Sequence, residues 1–234
     1  MELIKEKWLK SDIKPFEDYL LTMKNESKML WTKNLLNTNL ICLAIKTEKI
    51  KKIAKEISKG NYKSFLDLKI YSTYDSYATN GFIISKIKDF DTFKKYLDIY
   101  SDNVDNWGLC DLLSVNIKNQ EEKYLNLIKE YLKDKNVFKR RIAIRILFKF
   151  INYDNYVKDI FYIVDSLTNE QEYYVNMINA WLLCELFIKR KSETLKYLDN
   201  NHLNKFTINK MISKCRDSYR VSRIDKNLLL KYKK

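Results

Sequence analysis

The stretch most able to do chemistry reads Asp102-Asn103-Val104-Asp105-Asn106-Trp107-Gly108-Leu109-Cys110-Asp111. Asn106 or Asp105 is a good helix N-cap, because a short side-chain oxygen can accept from a backbone N–H two or three residues further on. A helix starting near Trp107 then places Trp107 and Asp111 one turn apart on a single face. An indole beside a carboxylate can embrace a cation, the ring offering its negative face and the carboxylate its charge. The same letters also suit a core indole next to a surface acid, and the motif alone does not choose between them.

Two further candidates lie downstream. In Phe138-Lys139-Arg140-Arg141-Ile142-Ala143-Ile144-Arg145, the cations Arg141, Arg145 and Lys149 fall at i, i+4 and i+8. That spacing predicts a basic stripe opposite an apolar face, suited to a nucleic-acid backbone; a solvated helix face is the alternative. Trp181 falls in register with Met177, Ile178 and Leu182, so core packing is its default explanation. The four cysteines (Cys42, Cys110, Cys184 and Cys215) form no CxxC pair and have one histidine, His202, for company. No metal or cofactor site is expected from them.

The elements that must position these residues are helices. The 234 residues contain only 3 Gly and 1 Pro, where ordinary usage would give about 16 and about 12. Sandwiches and barrels need such residues at many turns, and a doubly wound nucleotide-binding fold needs a Gly-rich loop. An all-α chain survives. Apolar stripes at helical spacing recur: Tyr124, Leu127, Ile128, Tyr131, Leu132; Ala143, Ile146, Leu147, Phe150, Ile151; Val157, Ile160, Phe161, Val164; Ile208, Met211, Ile212, Cys215, Tyr219. Linkers such as Lys133–Asn136 are short enough to make neighbouring helices antiparallel.

Trp107, Arg141 and Trp181 lie 34 and 40 residues apart, near the roughly 40-residue period of HEAT-like helix pairs, whose repeats stack into an α-solenoid. The letters Trp107–Asp111 are also echoed by Trp181-Leu182-Leu183-Cys184-Glu185. One domain over 1–234 is expected, with residues 1–25, broken by Pro15, as an N-terminal cap. Residues 221–234 read as a capping helix that frays into a basic tail.

With 44 Lys+Arg against 30 Asp+Glu, the formal net charge is +14, a field that attracts polyanions and nucleic acid above all. Apolar residues make up 46%, enough to exclude disorder. No stretch reaches the roughly 20 apolar residues of a membrane span, and the first residues lack the apolar core of a signal peptide. A reduced, cytoplasmic, monomeric protein is expected.

Residues 40–230 resemble the DNA alkylation repair glycosylases of the AlkD type. The resemblance is carried by Asp105-Asn106-Trp107 through Cys110-Asp111, Arg141 within Arg-Arg-Ile-Ala-Ile, Tyr173-Tyr174-Val175-Asn176-Met177 leading to Ala180-Trp181, and Phe206-Thr207-Ile208-Asn209-Lys210 through Ser218-Tyr219-Arg220. It implies a HEAT-like solenoid with a concave basic face that excises N3- and N7-alkylated purines from duplex DNA without metal or base flipping. It implies Trp107, Asp111 and Trp181 in the active site, with Arg141 on the DNA backbone. Arg140, Arg145, Lys149, Lys46, Lys51 and Lys210 are the further backbone contacts expected.

The chemistry of these residues agrees with that implication. An alkylated purine is cationic, so its glycosidic bond is already weak. An ionised Asp111 provides countercharge to an oxocarbenium-like sugar and polarises a water. Trp107 and Trp181 each add on the order of 0.5–2 kcal/mol of cation–π attraction. There are departures from the family. Ala44-Ile45-Lys46-Thr47-Glu48 stands where members often have Gly-Val-Arg-Thr-Pro, Lys51 stands for an Arg, and Cys184 stands where some members carry an Arg. The competing readings are a non-catalytic HEAT-repeat protein that binds DNA structures, and a protein-binding scaffold.

Overall fold

The apolar stripes become fourteen α-helices and no strand; one isolated parallel bridge joins Ile41 to Thr73. The computed structural model describes residues 1–234 and divides into two compact units, residues 1–116 and 117–234.

The first unit contains α1 (Ile13–Leu21), α2 (Glu26–Leu36), α3 (Thr47–Ile57), α4 (Tyr62–Asp67), α5 (Tyr74–Ile84), α6 (Phe90–Ser101) and α7 (Trp107–Asp111). Its first residues are anchored, not loose. Trp8 packs edge-to-face on Phe65 and Phe16 at 4.9 and 5.9 Å between ring centroids, and Pro15 sits in the first turn of α1, where its missing N–H costs nothing. Helices α1, α3, α6 and α7 all pack on α5, which is buried nearly all round.

A helix so enclosed must satisfy its own polar groups. Thr79 Oγ1 donates to the Asp75 carbonyl, and Asn80 Nδ2 donates to the carbonyls of Ile70 and Ser76. Asp75, only 2% exposed, accepts from the backbone N–H groups of Leu43 (2.7 Å) and Ile45 (2.9 Å). Its carboxylate therefore pins the loop that leads into α3.

Between those two donors Ala44 has φ of 56°, a left-handed conformation that costs a residue with a Cβ about 1–2 kcal/mol. This is the position where members of the resembling family often have Gly. Relief of that strain outweighs the extra chain entropy that glycine loses on folding. Ala44→Gly is accordingly expected to stabilise the protein by about 0.5–1 kcal/mol, read as a higher urea midpoint at unchanged slope.

The second unit contains α8 (Glu121–Leu132), α9 (Val137–Leu147), α10 (Val157–Asp165), α11 (Tyr173–Lys189), α12 (Lys191–Leu198), α13 (Lys205–Asp217) and α14 (Arg223–Leu228). Helix α11 packs on α9 and α13; α8 lies on α9, and α12 on α11. This is the paired helix stacking of an all-α solenoid.

Three sequence expectations are corrected here. Helix α9 stops at Leu147, and Phe148–Asn152 is a 3₁₀ turn, so Lys149 does not continue an α-helical stripe with Arg141 and Arg145. Tyr219 leaves its stripe and is fully exposed, because α13 ends at Asp217. The basic tail does not fray: after α14 the Lys234 ammonium donates to the Leu203 carbonyl at 2.6 Å and to Asn201 Oδ1 at 3.0 Å.

Candidate functional site

Helix α7 is five residues long and is held by its first turn. Asn106, fully buried, caps it by accepting from the Leu109 N–H at 3.1 Å. The Asn106 amide donates to Asp105 Oδ1 at 2.8 Å, and Asp105 in turn accepts from the Thr38 hydroxyl and the Asn39 N–H. Asp105-Asn106 is thus a clasp from the loop after α2 to the start of α7, half-buried at Asp105 and fully buried at Asn106.

Along α7, Gly108, Leu109 and Cys110 are buried, and only Trp107 and Asp111 reach the surface, both half-exposed. The reading of Trp107 as a core residue is thereby set aside. Its indole is steered by one hydrogen bond, Nε1 to the Leu35 carbonyl at 3.3 Å.

Two of the three glycines belong to the seating of this helix, Gly81 on α5 and Gly108 within α7 itself. A Cβ on Gly81 would lie 2.5 Å from Leu112 Cδ1 and 2.7 Å from the Tyr100 hydroxyl. On Gly108 it would lie 2.6 Å from Leu36 Cδ2 and 3.0 Å from the Tyr74 hydroxyl. Leu36 is buried, so its Cδ2 would have to be displaced within packed surroundings. Gly108→Ala is therefore expected to cost about 1–2 kcal/mol by overpacking, despite alanine's better helix propensity. A lower melting temperature would register that loss, and an unchanged or higher one would mean α7 is more loosely seated than described.

Tyr74, at the head of α5, is the residue here that sequence reading missed. Burial, with added repulsion from Asp75, Cys42, Asp111 and Cys110, pushes its phenol above the ordinary tyrosine range. Nothing in the letters marks it, since it lies 37 residues before Asp111 and meets α7 only through packing.

In the second unit Trp181 is half-exposed rather than core. The Arg145 guanidinium lies 5.8 Å from its ring centroid and 5.5 Å from that of Phe148, and the two rings meet edge-to-face at 4.8 Å. One turn on from Trp181, Glu185 is clasped by both terminal nitrogens of Arg220. The Arg220 guanidinium, outweighing burial, holds the Glu185 carboxyl below its ordinary range. The Trp-x-x-x-acid echo in the sequence is thus real in place but different in charge, because this second acid is neutralised.

The basic stripe is largely overturned. Arg141 is only 6% exposed and donates from Nη1 to the Tyr174 carbonyl at 2.6 Å. Helix α9 is sandwiched between α8 and α11, so it has no broad solvated back. Arg140 pairs through Nε with Glu170 at 2.9 Å and donates to the carbonyls of Asp134 and Lys135, an internal clamp instead of an open phosphate contact. Lys149 is half-buried in the 3₁₀ turn, whereas Lys46, Lys51 and Lys210 are exposed. Lys46 stands at the N-cap position of α3 with no side-chain capping bond, and the Lys51 ammonium lies 5.7 Å from the Phe82 ring centroid. No helix is long and apolar enough to cross a membrane.

Comparison with known proteins adds one finding. The family model described as DNA alkylation repair enzyme matches residues 17–214, well over half of the chain. No curated protein matches the sequence.

Proposed function

Because the chain belongs to the DNA alkylation repair enzyme family, we propose that it is a DNA glycosylase excising cationic N3- and N7-alkylated purines from duplex DNA. The observation that carries this is α7: five residues, three of them buried, with Trp107 and Asp111 alone presented to the surface. A carboxylate and an indole at one helical turn suit a cationic sugar. A general acid is not required, because the departing base already carries the positive charge.

In the proposed step the C1′–N bond breaks and its electron pair neutralises the leaving purine. The oxocarbenium-like sugar that remains is stabilised by Asp111 and by the face of Trp107. Asp111 orients the attacking water; its oxygen bonds to C1′ and its proton passes to the carboxylate and then to solvent. Arg141 acts by fixing the first turn of α11 through the Tyr174 carbonyl. Arg145, beside Trp181, and the exposed lysines 46, 51 and 210 supply phosphate contacts, which makes affinity steeply salt-dependent. No base pocket or flipping step is part of this reading.

The test is incubation with a duplex methylated at purine nitrogens, followed by mass spectrometry of the supernatant. Free 7-methylguanine or 3-methyladenine is the expected product. The competing reading, a protein that binds DNA structures without turnover, draws support from the internal pairing of Arg140 and from Lys51 and Cys184 standing where relatives carry Arg. It calls for salt-sensitive duplex binding with no base released.

A further inference from the structure

The N-terminal turns of α9, α11 and α13 carry four aromatic rings in one connected chain. Phe138 meets Tyr174 at 5.6 Å between centroids, Tyr174 meets Tyr173 at 5.3 Å, and Tyr173 meets Phe206 at 5.7 Å. Phe138 and Tyr174 are half-buried, but Tyr173 is 53% and Phe206 37% exposed. Single exposed aromatics need no explanation, whereas a contiguous set rimmed by charge marks a binding surface.

The rim is cationic. Lys205 immediately precedes Phe206, and the Lys210 ammonium lies 5.8 Å from the Phe206 ring centroid. Both lysines are exposed and border, with Phe206, a shallow depression of about 540 Å³. Of the two acids on the loop before α11, Glu170 is paired with Arg140, and Glu172 is an exposed carboxylate next to Tyr173.

Two exposed rings in contact, bordered by two exposed ammonium groups, match a ligand that combines flat apolar faces with anions. A duplex offers its phosphates and groove edges but keeps base faces stacked inside. An unpaired strand offers both, and base-on-aromatic stacking is the recurring mode of single-strand binding. We propose that this edge of the second unit binds unpaired DNA, with bases stacking on Tyr173 and Phe206 and phosphates meeting Lys205 and Lys210. The site is built from residues of the second unit alone and does not depend on base excision.

The experiment is fluorescence anisotropy of the full chain with a labelled oligothymidylate and with an abasic strand of equal length. The thymidylate is expected to bind the more tightly. Tyr173→Ala and Phe206→Ala are each expected to weaken it about tenfold, Phe206→Trp to restore it, and abasic binding to stay unchanged. Glu172→Gln, which removes the carboxylate next to Tyr173, is expected to strengthen it. Asp111→Asn is expected to bind the single strand like the parent, so a failure of the glycosylase reading leaves this result untouched. Equal affinity for the abasic strand, or a Phe206→Leu variant as good as Phe206→Trp, would overturn the assignment.

Discussion

Asp111→Asn is expected to slow release of methylated purines by about 10²–10³-fold, the usual effect of removing one preorganised electrostatic group. The substitution is nearly isosteric and removes only the charge. Asp111 is half-exposed at the last residue of α7, while the seating of that helix rests on Asn106, Gly108, Leu109 and Cys110. Folding should therefore survive. Duplex affinity should change less than about twofold, since it comes from cations meeting phosphates. Single-turnover release measured alongside duplex binding separates the two quantities. Full activity in Asp111→Asn would remove the carboxylate from the mechanism and leave Trp107 without its partner.

The largest stability effect is expected at a residue remote from chemistry. Asp75→Ala should cost about 3–5 kcal/mol, because two buried N–H groups, of Leu43 and Ile45, lose their acceptor at about 1–3 kcal/mol each and the side-chain space empties. Burial raises the Asp75 carboxyl above its ordinary range, against the pull of the backbone N–H groups of Ile45, Leu43 and Ala44. The sign of the pH effect follows. A carboxyl that binds its proton more readily when folded stabilises the native state most below its unfolded value, about 3.9, and that part is lost as pH rises through the folded value. The deficit of Asp75→Ala against the parent should widen as pH falls from 7 towards 4, read from urea midpoints at each pH. A constant deficit would mean that Asp75 titrates alike in both states.

Much of this molecule is legible in its letters because helices report themselves locally. The near-absence of Gly and Pro, the apolar stripes and the Asn106 cap need information from only a few neighbouring residues. They correctly give an all-helical chain with α7 starting at Trp107. The failures share one cause. The Arg141 stripe reads as solvated only if α9 has an open back, and α8 and α11 enclose it. Trp181 reads as core, yet its half-exposed indole lies beside the Arg145 guanidinium. Arg140 reads as a phosphate contact until Glu170, 30 residues away, is found against it.

The scarce glycines show the same division. Composition excludes folds that spend glycine on turns, but it cannot tell that Gly81 and Gly108 are there because α5, α6, α7 and the end of α2 approach too closely for a Cβ. By itself the sequence determined the helices, their caps and the candidate pair Trp107–Asp111, since spacing along one helix is set by its 3.6-residue period. Tertiary structure alone decided which charges stay available and which are consumed in pairs. That depends on neighbours distant in the chain, and no periodicity encodes them.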